Sequence, residues 1–158
     1  DFDQLIERLA EAGCADALAG IGLPGRVALA FTREASSAEV ALMTALADVH
    51  TGIPKAQLIE VAPDFVGLTD VAEAIGVTRQ NMRKLMVSHA ATFPVPVHEG
   101  ATSLWHLADV LSWLREKGNY TWAEGLLDVA LVAKQINLAL ASRQLQSRMQ
   151  RRIAELVD

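Results

Sequence analysis

A single cysteine, Cys14, rules out an internal disulfide framework and a cysteine-based zinc site, and it fits a reducing cytoplasm. Aromatic residues are scarce, at 5% of 158 residues, so alanine, leucine and valine supply most of the apolar count and favour helices over a β-sandwich. No apolar run nears the ~18–20 residues that a membrane helix needs. No basic leader followed by an apolar stretch opens the chain, so no secretory signal is expected. Asp1 stands first where a methionine would begin a translated chain, which reads as a piece of a longer or trimmed protein. The four histidines (His50, His89, His98 and His106) form no ligand-spaced cluster, and no glycine-rich phosphate cradle is present. Neither a metal, a cofactor nor an enzyme's catalytic constellation is expected. What remains is a chain 51% hydrophobic and 21% charged, long enough for one domain or two small ones with a real core.

The net charge of −5 is unevenly distributed. Residues 1–65 hold ten acids and four bases, a balance of −6; residues 66–117 are neutral and residues 118–158 carry +1. The acidity thus belongs to the front of the chain, and a neutral middle can still bind a polyanion if its bases share one face.

Leu5, Ile6 and Leu9 repeat at helical spacing before Gly13, a natural stop. Asp16–Gly22 and Arg26–Arg33 read as two strands joined by Leu23-Pro24-Gly25, with Val27, Leu29 and Phe31 alternating with Ala28 and Ala30. Ser36 or Ser37 caps a helix to about Val49, with Val40, Met43 and Ala47 expected to face inward. Gly52 and Pro54 end it, and Gln57–Val61 reads as a short strand. Helix, strand, strand, helix, strand is a ferredoxin-like α+β order lacking its first strand, an acidic domain over residues 1–65. Such a domain suits packing, effector sensing or partner docking, and the missing strand leaves a sheet edge open.

The middle is more specific. Thr69 can cap a short helix over Asp70–Ile75. Gly76-Val77 makes a turn, and Thr78 caps a second helix, Arg79–Ser88. A helix-turn-helix needs a small residue where its helices cross, a glycine that tolerates left-handed backbone, and apolar residues locking the second helix to the first. Ala72, Gly76, Ile75, Met82 and Leu85 stand at those offsets, although a plain helical hairpin could use the same spacing. Phe93-Pro94-Val95-Pro96-Val97 is extended, because proline disfavours helix in the residue before it. His98–Ser103 is a turn, Leu104-Trp105 starts a return strand, and Leu107, Val110, Leu111 and Leu114 line the inner face of another helix. Trp105 and Trp113 read as core residues.

Leu68-Thr69-Asp70-Val71-Ala72-Glu73-Ala74-Ile75-Gly76-Val77-Thr78-Arg79-Gln80, Phe93-Pro94 with Pro96-Val97, and Trp105–Leu114 together resemble the MerR superfamily, most closely its AlpA/excisionase-type winged helix. The resemblance covers residues 66–117. It implies a small double-stranded-DNA-binding regulator or recombination directionality factor without a cofactor, whose helix 79–88 enters the major groove. His89-Ala90-Ala91-Thr92 is longer and less charged than the family's usual basic turn, and the wing carries Glu99 with no Arg or Lys.

Thr78 is expected to cap the helix and donate to a phosphate. Arg79, Gln80, Asn81, Arg83 and Lys84 stand in its first turns, where Arg can pair with guanine and Asn or Gln with adenine. From Thr121 a long helix is expected to run to about Val157. Leu126, Val129, Ala133, Ile136 and Leu140 form one apolar stripe, and it shifts to Leu145, Met149, Ile153 and Leu156. Arg143, Arg148, Arg151 and Arg152 decorate its second part. A stripe this long is expected to make residues 118–158 a homodimerisation segment. The sequence thus leads to a cytoplasmic, non-enzymatic transcriptional regulator of prokaryotic type. Two alternatives are an antitoxin-like or adaptor protein that binds a partner through residues 1–65, and an architectural excisionase-type factor.

Overall fold

The structure, a computed structural model, describes residues 1–157, which form a mixed α+β fold. Among the described residues there are seven α-helices and two two-stranded antiparallel sheets. The chain divides into two compact units, residues 1–58 and 59–158.

In the first unit, α1 (Phe2–Leu9) opens on the Asp1 side chain, which accepts from the Asp3 amide at 3.2 Å. A π-helical turn, Ala10–Cys14, carries the chain onward, broken at Gly13 (φ 108°). Glycine is required there twice over. The φ is positive, and a Cβ would lie 2.8 Å from Asp48 Oδ2. Strands β1 (Ala17–Ile21) and β2 (Val27–Phe31) pair with Ala17 opposite Phe31, Ala19 opposite Leu29 and Ile21 opposite Val27. Ser37 caps α2 (Ala38–Gly52), its hydroxyl accepting from the Val40 amide at 3.1 Å.

Two expectations need correction here. Val40, Met43 and Ala47 are exposed; α2 buries Ala45 and half-buries Leu42, Leu46 and Val49. Because α2 is apolar on nearly every side, periodicity could not choose its inner face. Gln57–Val61 is irregular, not a strand, so the first unit's sheet has two strands where three were expected.

Arg33 ties this unit together. Its Nε and Nη2 donate to the two Asp16 carboxylate oxygens at 2.8 and 3.0 Å, and Nη2 also donates to the Gly13 carbonyl at 2.8 Å. Nη1 reaches Asp48 at 2.9 Å and Thr44 Oγ1 at 3.2 Å. The hydrogen bonds from Arg33 hold the Asp16 carboxyl below the usual carboxylate range, and those to Asp16 raise the guanidinium. Burial, aided by the Asp48 charge, pushes the Cys14 thiol up. Because Asp16 has its lower value only when folded, its contribution is fully present above the ordinary aspartate value of about 3.9. It is lost as pH falls through the folded value. Asp16→Asn is therefore expected to cost stability at pH 7 and to flatten the loss of stability below about pH 4. Urea midpoints read between pH 7 and pH 2 check this, and parallel wild-type and variant profiles would contradict it.

The second unit builds its core from Val66, Leu68, Val71, Ala72, Met82, Phe93, Trp105, Leu111, Leu114, Leu127 and Ala130. β3 (Phe65–Val66), a strand that the sequence did not reveal, pairs antiparallel with β4 (Trp105–His106). α3 runs Leu68–Ile75 and is capped at Gly67, not Thr69; the Asp70 carboxylate accepts from the Gly67 amide at 2.9 Å. α4 (Arg79–Ser88) follows, and α5 (Leu107–Lys117) begins directly after β4. Val110, Leu111 and Leu114 of α5 are fully buried.

The single helix expected from Thr121 to Val157 is two helices, α6 (Leu126–Ser142) and α7 (Ser147–Val157). α6 starts only after Gly125, and turn hydrogen bonds at Arg143, Gln144 and Leu145 close its end. Ala133 is fully buried, so its own chain covers it and it is not open to a second copy; Leu126 is half-buried and packs on the core. Val129, Ile136 and Leu140 are half-buried, whereas Leu145 and Met149 are exposed.

Candidate nucleic-acid interface

Gly76 ends α3 in the left-handed region (φ 73°), and the Val77 amide donates back to the Ala72 carbonyl at 3.0 Å. The chain can then turn within two residues. The Thr78 hydroxyl accepts from the Asn81 amide at 3.1 Å and starts α4, leaving its own proton free to donate outward. The helix is anchored by Met82, which is fully buried, with Leu85 and Met86 packed against the same core.

That anchoring decides what α4 presents. Arg79, Gln80, Asn81, Arg83 and Lys84 are all exposed. Arg79 and Arg83 are four residues apart and share a face, as do Gln80 and Lys84. The helix contains no acid. None of its three cations has a hydrogen-bond or ion-pair partner among the described residues. The six residues that the sequence singled out are therefore all exposed, at the N-cap and along the first two turns of α4.

Two further residues belong beside them. Val87, 62% exposed, extends the outer face by one turn. Tyr120 closes an open groove of about 320 Å³ with Asn81, Lys84, Ser88 and His89. Its signal in the sequence was slight: it is the chain's only tyrosine, two residues after the Gly118 that ends α5.

Past α4, Phe93 packs edge-on against Trp113 and Trp105, with ring centroids 5.1 and 6.0 Å apart. Trp105 Nε1 donates to the Pro94 carbonyl at 2.9 Å, which holds the proline-rich segment extended. The chain then forms a narrow hairpin. Val97 donates to the Leu104 carbonyl at 2.7 Å, and Leu104 donates to the His98 carbonyl at 2.9 Å. Its tip, Glu99–Thr102, is exposed and carries no cation, so the positive charge lies on α4 and not on the hairpin.

Sequence reasoning missed a buried polar cluster elsewhere in the second unit. His106 Nδ1 and Asp64 Oδ1 are 2.6 Å apart, and Asn137 Nδ2 donates to Asp64 Oδ2 at 2.9 Å. Asn137 also accepts from the Val61 amide and donates to the Val61 carbonyl, at 2.9 and 2.7 Å. A side-chain amide therefore satisfies Val61 where a strand partner was expected, and residues 57–60 before it are exposed. No family model matches this chain, and neither a curated protein nor a solved structure matches it.

Proposed function

We propose that the chain is a sequence-specific DNA-binding transcriptional regulator that reads the major groove with α4, through a winged helix-turn-helix spanning residues 66–117. One observation carries the reading: five exposed side chains with base- and phosphate-pairing chemistry stand on a single acid-free helix held by a buried Met82. A helix fits the roughly 12 Å wide major groove, where Arg pairs with guanine and Asn or Gln with adenine. Thr78, at the helix N-terminus, suits a phosphate contact. The uncharged hairpin tip leaves affinity to α4, a departure from wings that grip the backbone with cations. The first 65 residues, with their charge of −6, stand off the phosphates and carry the regulator's input.

The regulator acts as a homodimer in the cytoplasm. Support for dimerisation comes from α7, which leaves Met149, Ile153 and Leu156 exposed along one stripe, with Leu145 exposed in the turn before it, while Arg148, Arg151 and Arg152 stay solvated. One module seldom supplies enough specific affinity alone. The test is selection of duplex sites from a random pool by the full chain. A dimer enriches two related half-sites, and the Ile153→Asp chain, which buries a charge in the interface, enriches one half-site and sediments as a monomer. No enriched sequence would refute the DNA reading; two half-sites retained by Ile153→Asp would remove α7 from the interface.

A further inference from the structure

The first unit's sheet has only two strands, so both are edges: β1 aims the backbone of Ala17, Ala19 and Ile21 outward, and β2 that of the bulkier Val27, Leu29 and Phe31. The Thr32 amide donates to the Asp16 carbonyl at 3.0 Å, and the register pairs Leu18 with Ala30 and Gly20 with Ala28. In an antiparallel ladder the hydrogen-bonded pairs alternate. Residues 18, 20, 28 and 30 therefore use their amides and carbonyls inside the hairpin. Val27, Leu29 and Phe31 aim theirs outward, where no described residue receives them.

Edges of this kind are normally blunted by lysine, proline, a bulge or a cover. Here the strand reads Val-Ala-Leu-Ala-Phe, without charge, proline or bulge. Two strands are also fewer than a sheet needs to be stable by itself. The shortfall shows elsewhere in the unit. Leu9, Cys14 and Ala45 are its only fully buried apolar side chains among the described residues apart from glycine, and α2 leaves Val40 and Met43 exposed. An open cavity of about 90 Å³, lined by Ile6, Leu9, Ala10, Cys14, Ala17, Ala19 and Leu29, lies under the sheet.

We propose that the free edge of β2 is a docking site for an extended strand of a partner protein, whose alternate residues are apolar and whose flanks are basic. Three outward donor–acceptor positions in a row call for an extended backbone, since a helix has no free ladder to offer. Period-2 alternation in the occupant sets one row of side chains beside Val27, Leu29 and Phe31 and the other in solvent. Charge selects the partner: residues 1–58 hold eight acids and four bases, a balance of −4 that attracts a basic segment and opposes a second copy of itself. Of the two arginines that bracket β2, Arg33 is already paired with Asp16 and Asp48, which leaves Arg26 as the one local cation among the described residues. This inference is independent of DNA reading by the second unit.

The experiment uses the full chain and a fluorescent nine-residue peptide alternating valine and threonine between terminal lysines. Saturable binding is expected in fluorescence anisotropy. Leu29→Pro, which deletes an outward amide and leaves the β1–β2 bonds alone, is expected to weaken it at least ~10-fold. N-methylation of the peptide's ladder amides should do the same, and glutamate in place of its lysines should weaken binding further. Hydrogen exchange at Val27, Leu29 and Phe31 is expected to slow when the peptide is added, a readout that holds if Leu29→Pro fails to fold. Unchanged exchange there, equal binding by folded Leu29→Pro, or equal binding of the acidic peptide would overturn the proposal. Concentration-dependent self-association abolished by Leu29→Pro would overturn it in favour of a second copy. DNA binding is expected to be unaffected by the peptide, so either reading can fail alone.

Discussion

Arg79→Ala and Arg83→Ala are each expected to weaken specific DNA binding by about 1–3 kcal/mol, roughly 5- to 150-fold, if each reads a base edge. The two side chains share one face of α4, so both reach the same stretch of groove. Neither has an intramolecular partner among the described residues, so their removal leaves the fold unchanged. Loss at a base contact also relaxes preference at that position. Lys84→Ala is a useful contrast: as a phosphate contact it would weaken all sequences alike and lower the salt slope by about 0.9. Titrations of selected and scrambled duplexes at several matched salt concentrations separate these outcomes. A double Arg79/Arg83 alanine variant that bound its selected site as tightly as the parent would show that α4 is not the reader.

Asn137→Ala is expected to cost about 3–5 kcal/mol of stability, a large share of the ~5–15 kcal/mol that holds a typical domain together. The substitution removes a partner from three groups at once: the half-buried Val61 amide and carbonyl, and the buried Asp64 Oδ2. Each unsatisfied buried polar group costs about 1–3 kcal/mol, more when it bears charge. The cluster joins the segment before β3, the end of β4 and the middle of α6. Its loss should therefore free α6 before it disturbs the α3–α4 pair. Urea unfolding gives the magnitude, and hydrogen exchange resolved by helix gives the order. A loss below ~1 kcal/mol would mean that water replaces the amide without penalty.

Local rules made much of the second unit legible. Gly76 and Thr78 act within three or four residues of themselves, as do the prolines at 94 and 96. The stop of α3, the start of α4 and the extended segment could thus be read where they stand. Strong amphipathic contrast did the same for the buried faces of α3, α4 and α5, where Ala72, Met82, Leu111 and Leu114 fell inward as their spacing required. The exposed row on α4 follows in part from the same contrast: fixing Met82 inward sends Gln80 and Lys84 to the opposite side, while Arg79 and Arg83 are exposed on the flank between.

Where a segment is apolar on all sides, or where its partner lies far along the chain, only the tertiary structure could decide. α2 turns Ala45, not Val40 or Met43, to the interior because Arg33 and Gly13 clamp it through Asp48 and Thr44. The C-terminal stripe splits because α6 fits against α5 while α7 finds no buried place among the described residues. At Val61, Asn137, 76 residues away, supplies the hydrogen bonds that a strand partner was expected to make. Asp64, His106 and Asn137 meet although nothing in their spacing links them. The sequence by itself determined the helices, turns and polar face that obey short-range stereochemistry. Folding alone selected among faces of equal hydrophobicity and brought distant polar groups together, since that choice depends on which partners each surface meets.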